Sequence, residues 1–366
     1  MTEVVSISFS IVEPMLFRSS GEFDPHVRGT FSRATSLIMP SPSTVVGTLA
    51  TYCISKLNKP MPANSEDWIK QYLSVLGDDV KINGPILYLN NEFTVEDRTS
   101  EGFLSIEGIK QKCESDYNKL VQKNKPDWLN RYLEYSEKEK NEKTKLYIKI
   151  KKDARTGVRL ETRNAKNLSP MKVVREGFLY NTELVDYISY TKNEQNRIYS
   201  VEIVAEIRGS LVKELPLKQH LPVRFGGESR VASLSFQDGA KIFNEIRRKL
   251  WNDEERYSGV LALYLATPAI FKEDKKVEEH IKEFVKNMKY EYLGVSGESM
   301  LLGAGFSIMG QKRKPIYSAL KPGSIIFIKG EFNLSQLYLT NALGEAAQLG
   351  YGTIIPVPLT NLAFAL

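Results

Sequence analysis

Apolar and polar residues alternate from Val4 to Val12, with Val5, Ile7, Phe9 and Ile11 on one side. A period of two marks a half-buried strand, so β structure is expected there. The period changes at Met39-Pro-Ser-Pro-Ser-Thr-Val-Val-Gly47, where Ser41 suits a helix N-cap and Pro42 the first helical position. Val45, Val46, Leu49, Ala50, Cys53, Ile54 and Leu57 then share one helical face. Trp68 to Leu76 is amphipathic, Ile86 to Leu89 reads as a short strand, and Gly108 to Lys145 is Lys- and Glu-rich and mostly helical. Residues 60–145 are therefore expected to be an insertion, opened by Pro60-Met-Pro-Ala-Asn64.

From Tyr147 the period of two returns. Ile148 and Ile150 alternate with Lys149 and Lys151, Asp153-Ala-Arg-Thr-Gly157 reads as a turn, and Val158 and Leu160 alternate with Arg159, Glu161 and Arg163. This predicts a β-hairpin at about 146–166 with one apolar and one cationic face. Arg175-Glu-Gly-Phe-Leu-Tyr180 reads as a turn entering another short strand. The pattern restarts with a strand over Ile198 to Ile207. A helix over Phe236 to Leu250, a strand over Val260 to Leu265, a helix over Val277 to Met288, and strands over Tyr290 to Val295 and Ile325 to Ile328 follow. The order suggests an α+β protein of two ferredoxin-like (RRM-like) domains, 1–195 and 196–366, with a helical insertion and a β-hairpin thumb in the first. One strand of the second unit is left unplaced.

Length permits two ordinary cores, since the chain has 366 residues. Charge changes the picture more. Lys138 to Arg175 holds thirteen Lys/Arg against four Asp/Glu, a net +9 against +6 for the whole chain. A concentrated basic stretch is the footprint of a phosphate backbone, although a solvated charged loop has the same composition. Two cysteines, Cys53 and Cys113, make no disulfide framework, and no Cys/His spacing suits zinc, so neither metal nor cofactor is expected. The start MTEVVSISFSIVEP does not read as a signal peptide, and no apolar run approaches the ~20 residues of a membrane span. A cytoplasmic protein without membrane partners is expected.

Candidate chemistry lies in loops. Glu13 to Gly21 presents Arg18, and Phe23 to Gly29 holds His26 and Arg28. Ser43 and Thr44 occupy the first turn of the capped helix, which either binds an anion or only caps. Val223-Arg-Phe-Gly-Gly-Glu-Ser-Arg230 is glycine-rich with a cation near each end. Two further glycine loops, Leu302 to Gly310 and Gly344 to Gly352, follow neither a P-loop nor a dinucleotide spacing. Each is either a tight turn or a close backbone approach. Gly77-Asp-Asp79 has the look of a polymerase carboxylate pair, but a helix ending on glycine explains it as well.

Taken in order, these loops resemble a known family. Leu16-Phe-Arg18, Pro40 to Gly47, Arg155-Thr-Gly-Val-Arg159, Glu176 to Tyr180, Gly226-Gly-Glu-Ser-Arg230, Thr267-Pro-Ala-Ile-Phe271, Lys321-Pro-Gly-Ser324 and Leu349-Gly-Tyr-Gly352 carry the likeness. The chain resembles the RAMP proteins of CRISPR systems, nearest the third subunit of the type III-B (Cmr) effector complex. That resemblance implies a non-catalytic subunit that holds the repeat-derived 5′ tag of the guide crRNA. It implies docking beside the large palm-domain subunit and a backbone RAMP subunit of the filament. On this reading Arg155, Arg159, Arg163 and Arg175 meet phosphates, Ser43 and Thr44 hold one more, Arg18 and Arg230 flank the groove, and Gly226 and Gly227 allow close approach. The alternative is a metal-independent endoribonuclease that processes precursor crRNA, with His26 as its acid–base group.

Overall fold

The computed structural model describes residues 4–18, 33–34, 36–62, 67–98, 102–122, 147–149, 151–163, 171–187, 200–303, 306–307, 312–313, 315–340 and 343–359. An eight-stranded sheet is built from β1 (Val4–Ile11), β3 (Lys81–Leu89), β4 (Glu92–Asp97), β5 (Gly102–Ser105), β6 (Tyr147–Lys149), β9 (Val201–Arg208), β10 (His220–Arg224) and β11 (Val231–Asp238). Its order is β10-β11-β1-β9-β3-β4-β5-β6. Val5, Ile7, Phe9 and Ile11 of β1 face one way, as their spacing requires, and join Val45, Val46, Leu49 and Cys53 of α1 (Pro42–Lys56) in one core. Each of those four helical residues is fully buried, and burying a side chain of this size contributes about 1.5–3 kcal/mol.

The second body is a four-stranded sheet, ordered β14-β19-β12-β20, of β12 (Arg256–Leu265), β14 (Glu291–Ser296), β19 (Ile325–Asn333) and β20 (Ile354–Pro358). The helices α3 (Ile106–Gln122), α4 (Lys241–Leu250), α5 (Val277–Asn287) and α6 (Leu334–Thr340) accompany it. A small sheet of β13 (Ala269–Phe271), β15 (Ser299–Gly303) and β18 (Ile316–Leu320) packs Met300, Leu302, Tyr317 and Ala319 onto the first core. The strands β16 (Phe306–Ser307) and β17 (Lys312–Arg313) pair beyond it. Among the described residues, no helix is long and apolar enough to cross a membrane.

Three expectations are corrected. The strand β7 (Lys151–Arg163) runs straight through Asp153 to Gly157, and its partner is the long β8 (Met171–Asp186). The short β2 (Arg33–Ala34) adds to the other side of β8 in parallel. The hairpin is thus longer and later than expected. Its connection falls between Arg163 and Met171, and Arg175 lies on a strand. The supposed turn stays extended because β8 holds it. Lys151 pairs with Asp186 in register, Thr182 donates to the Arg155 carbonyl, and Lys152 lies 3.2 Å from Glu183. The helix expected over 236–250 starts late: residues 236–238 are the end of β11, Gly239 turns at φ +91°, and only α4 is helical. Residues 68–89 are framework rather than insertion, since β3 sits between β9 and β4 and α2 (Trp68–Leu76) buries Trp68, Val75 and Leu76. Gly77 (φ +109°) ends α2, and the Asp79 carboxylate accepts from the Ser210 N–H and hydroxyl at 2.7 and 2.8 Å, so Gly77 to Asp79 is a helix stop.

The two sheets meet across a polar seam. Buried Glu206 of β9 accepts from the Tyr338 hydroxyl (3.1 Å) and the Phe243 N–H (2.9 Å), while Arg208 reaches Asn83 at 2.5 Å. The loop Gly344–Thr353 stitches the same seam. Ile82 N–H donates to the Gln348 carbonyl, Gly84 N–H to the Thr353 hydroxyl, and Gly352 N–H to the Pro268 carbonyl. The glycines of this loop admit the chain's own backbone: a Cβ on Gly344 would lie 2.5 Å from the Ile270 carbonyl.

Candidate nucleic-acid interface

The segment Glu13–Arg18 is the hub. It leaves β1, forms an isolated bridge from Met15 to Val185 of β8, and a second from Arg18 to Ser36. Leu16 and Phe17 are buried beneath it. Gly226 and Gly227 close over this segment. Gly227 N–H donates to the Leu16 carbonyl at 2.7 Å, and Gly226 turns at φ +80° with that same oxygen 2.7 Å from where a Cβ would stand. The close approach these glycines permit is therefore to Leu16, within the chain.

Three predicted cations converge here. The Arg18 guanidinium is 3.6 Å from Glu228, and that of Arg230 is 2.8 Å from Glu13. Arg155, on the proximal half of the hairpin, pairs with Asp153 at 3.0 Å. Glu13 is held below the usual carboxylate range, first by the Val231 N–H, then by the Arg230 hydrogen bond, with Arg155 adding its charge. Met15 bridges Val185, three residues along β8 from Thr182, the register partner of Arg155, so Arg18, Arg155, Gly226, Gly227 and Arg230 gather at the base of the hairpin. Glu13 and Glu228 were not predicted as members; Glu228 lies inside the glycine motif itself, which was the available signal.

Ser43 and Thr44 start a helix whose next turn approaches this site: Thr48 donates to the Arg224 carbonyl at 3.3 Å, two residues before Gly226. Ser41 has N-cap backbone geometry, but its hydroxyl meets the Ser43 and Thr44 hydroxyls at 2.9 and 3.2 Å rather than a helix N–H. Arg159, Arg163 and Arg175 fall on the strand backbones of β7 and β8, beyond the anchored base. The ladder slips there, with Arg159 alone between Val158 and Leu160 opposite four residues, Arg175–Phe178. His26 and Arg28 lie outside the described residues. Among the described residues no group of His, Cys, Asp and Glu is arranged to hold a metal.

The chain is 27% identical over 371 residues to the CRISPR system CMR subunit Cmr3 of Saccharolobus solfataricus, covering 96% of each protein. Its fold matches a chain in two cryo-EM structures of the type III-B Cmr-beta complex bound to cognate target RNA. With AMPPnP also bound, the TM-score is 0.56 at 20% identity, covering 95% of both chains. Without it, the TM-score is 0.57 at 21% identity, covering 95% of this chain and 96% of the other. The family described as CRISPR-associated protein (Cas_Cmr3) matches residues 92–359, which is most of the sequence, and the chain belongs to that family.

Proposed function

We propose that this chain is a non-catalytic subunit of a type III-B CRISPR effector, in which it holds the 5′ tag of the guide crRNA. It bridges the large palm-domain subunit to the backbone RAMP subunit of the filament, in the cytoplasm. The carrying observation is the convergence of Arg18, Arg155 and the Gly226–Arg230 turn at the root of a long basic hairpin. An unpaired RNA strand needs cations for its phosphates and a projecting element to set its path, and this corner has both. The relatives, a Cmr subunit and a chain of a Cmr complex bound to target RNA, support the same assignment.

Two ferredoxin-like units belong to this reading. In chain order β1, β3, β9 and β11 take sheet positions 4-1-3-2 as β11-β1-β9-β3, and β12, β14, β19 and β20 repeat that order. The pairing of β9 and β11 with β1 favours a boundary after Asp238 over one at residue 195.

The test is the triple variant Arg155→Ala, Arg159→Ala, Arg163→Ala in a complex reassembled with guide RNA. Weaker guide retention is expected, with a salt dependence flatter by about 0.7 in log–log slope for each phosphate the variant no longer neutralises. An unchanged slope together with unchanged nuclease protection of the 5′ tag would overturn the proposal.

A further inference from the structure

The cations at the hub already face carboxylates, whereas a second set does not. Lys218, His220 and Arg224 are exposed and have no ion-pair or hydrogen-bond partner for their side chains among the described residues. They lie on and just before β10, the outermost strand of the eight-stranded sheet. Burial alternates along His220–Arg224, with residues 220, 222 and 224 exposed and Leu221 and Val223 half-buried against the first core. The even-numbered side chains therefore share the open face. Strand geometry spaces alternate residues by about 6.7 Å, so Arg224 and His220 stand about 13 Å apart; Lys218 sits in the turn that leads into the strand, at φ +63° and with its N–H on the Phe236 carbonyl. Extended single-stranded RNA spaces its phosphates comparably.

The edge itself is closed to another strand. Phe225 N–H donates to Arg230 in the β11 ladder, so the backbone groups of the even residues point outward. One of them is Pro222, which has no N–H, and the outward Arg224 carbonyl is occupied by Thr48. A β-strand of a partner protein is thus disfavoured, while a polyanion meeting side chains is not. The row ends at Gly226, where the hub begins.

We propose that Lys218, His220 and Arg224 form a track that carries the guide strand onward from the hub, with the cations on phosphates and the His220 ring against a base. This rests on the function proposed above and adds a direction for the RNA. Directed cleavage tests it, because both native cysteines are buried and an introduced one can be labelled alone. Gln219→Cys and, separately, Val12→Cys beside the hub would carry an iron chelate in the reassembled complex. Consecutive cuts in the guide RNA from both positions are expected. Cuts from residue 12 without cuts from 219 would overturn the track and leave the hub standing; cuts from neither would overturn both. Cleavage of a neighbouring subunit from 219, in place of RNA, would assign this edge to protein and also reject the track. Independently, the pair Lys218→Glu and Arg224→Glu should lower the salt slope by about 1.4, two phosphates at about 0.7 each; an unchanged slope rejects them as phosphate ligands.

Discussion

Replacing Gly226 by alanine should unfold the hub before it touches any RNA. The residue sits at φ +80°, where a side chain costs about 1–2 kcal/mol. Its new Cβ would also stand 2.7 Å from the Leu16 carbonyl and 3.3 Å from the Phe17 ring. Leu16 and Phe17 are 0% and 2% exposed, so neither has free space to move into. Overpacking a filled interior adds about 1–3 kcal/mol, for about 2–5 kcal/mol in all. Gly239 supplies the control: it turns at φ +91°, yet a Cβ there meets nothing within 4 Å. Gly239→Ala should therefore cost only the backbone share. Urea titrations of the two full-length variants, followed by tyrosine and tryptophan fluorescence, measure the difference directly. Gly226→Ala should melt at distinctly lower urea. If both variants shift by the same amount, crowding against Leu16 is not what reserves this position for glycine, and the packing account of the hub fails.

Other consequences follow from the seam and the core. Trp68→Phe deletes the indole N–H that donates to the Tyr317 hydroxyl at 2.9 Å, at a residue 4% exposed, and should cost about 1–3 kcal/mol in the same titration. Glu96 has its carboxyl pushed up to about 7 by burial, with Lys321 and Lys152 opposing. The folded state then keeps a proton that the unfolded chain releases near 4.5, so this carboxyl's contribution to stability is fully present below 4.5 and is lost as pH rises through about 7. Glu96→Gln should flatten the urea midpoint across that window.

Much of the framework was legible because local signals agreed. In β1 and α1 the apolar period, the proline and the N-cap residue all pointed the same way, and the apolar positions of that period are core residues, although Ser6 and Ser8 between them are buried too. The hairpin was legible in composition but not in register. Asp153-Ala-Arg-Thr-Gly157 has turn chemistry, and only pairing with residues about thirty positions onward keeps it extended. The glycine loops kept two readings for a related reason. A glycine admits a ligand's backbone or the chain's own, and sequence does not distinguish them; Gly226 and Gly344 both meet carbonyls of this chain. At the hub the arginines were readable, but their carboxylate partners were not, because Glu13 and Arg230 come together only when β1 and β11 pair.

Those carboxylates divide the arginines by role. Arg230 is the most enclosed, its side chain 20% exposed, and its partner Glu13 also takes the Val231 N–H at 2.8 Å. Removing that guanidinium strands a carboxylate that ties two strands together, at about 1–3 kcal/mol. The side chains of Arg18 and Arg155 are 45% and 50% exposed. Exposed ion pairs are worth about 0–1 kcal/mol, so on the proposed function Arg18 and Arg155 would exchange Glu228 and Asp153 for a phosphate at little cost. Arg230→Ala should then lower the urea midpoint and guide retention together. Arg18→Ala and Arg155→Ala should weaken retention and flatten its salt dependence while leaving the midpoint in place. A destabilised Arg155→Ala, or an Arg230→Ala of full stability with impaired retention, would reverse the assignment: the enclosed arginine would be reading the RNA, and the exposed ones would be holding the fold.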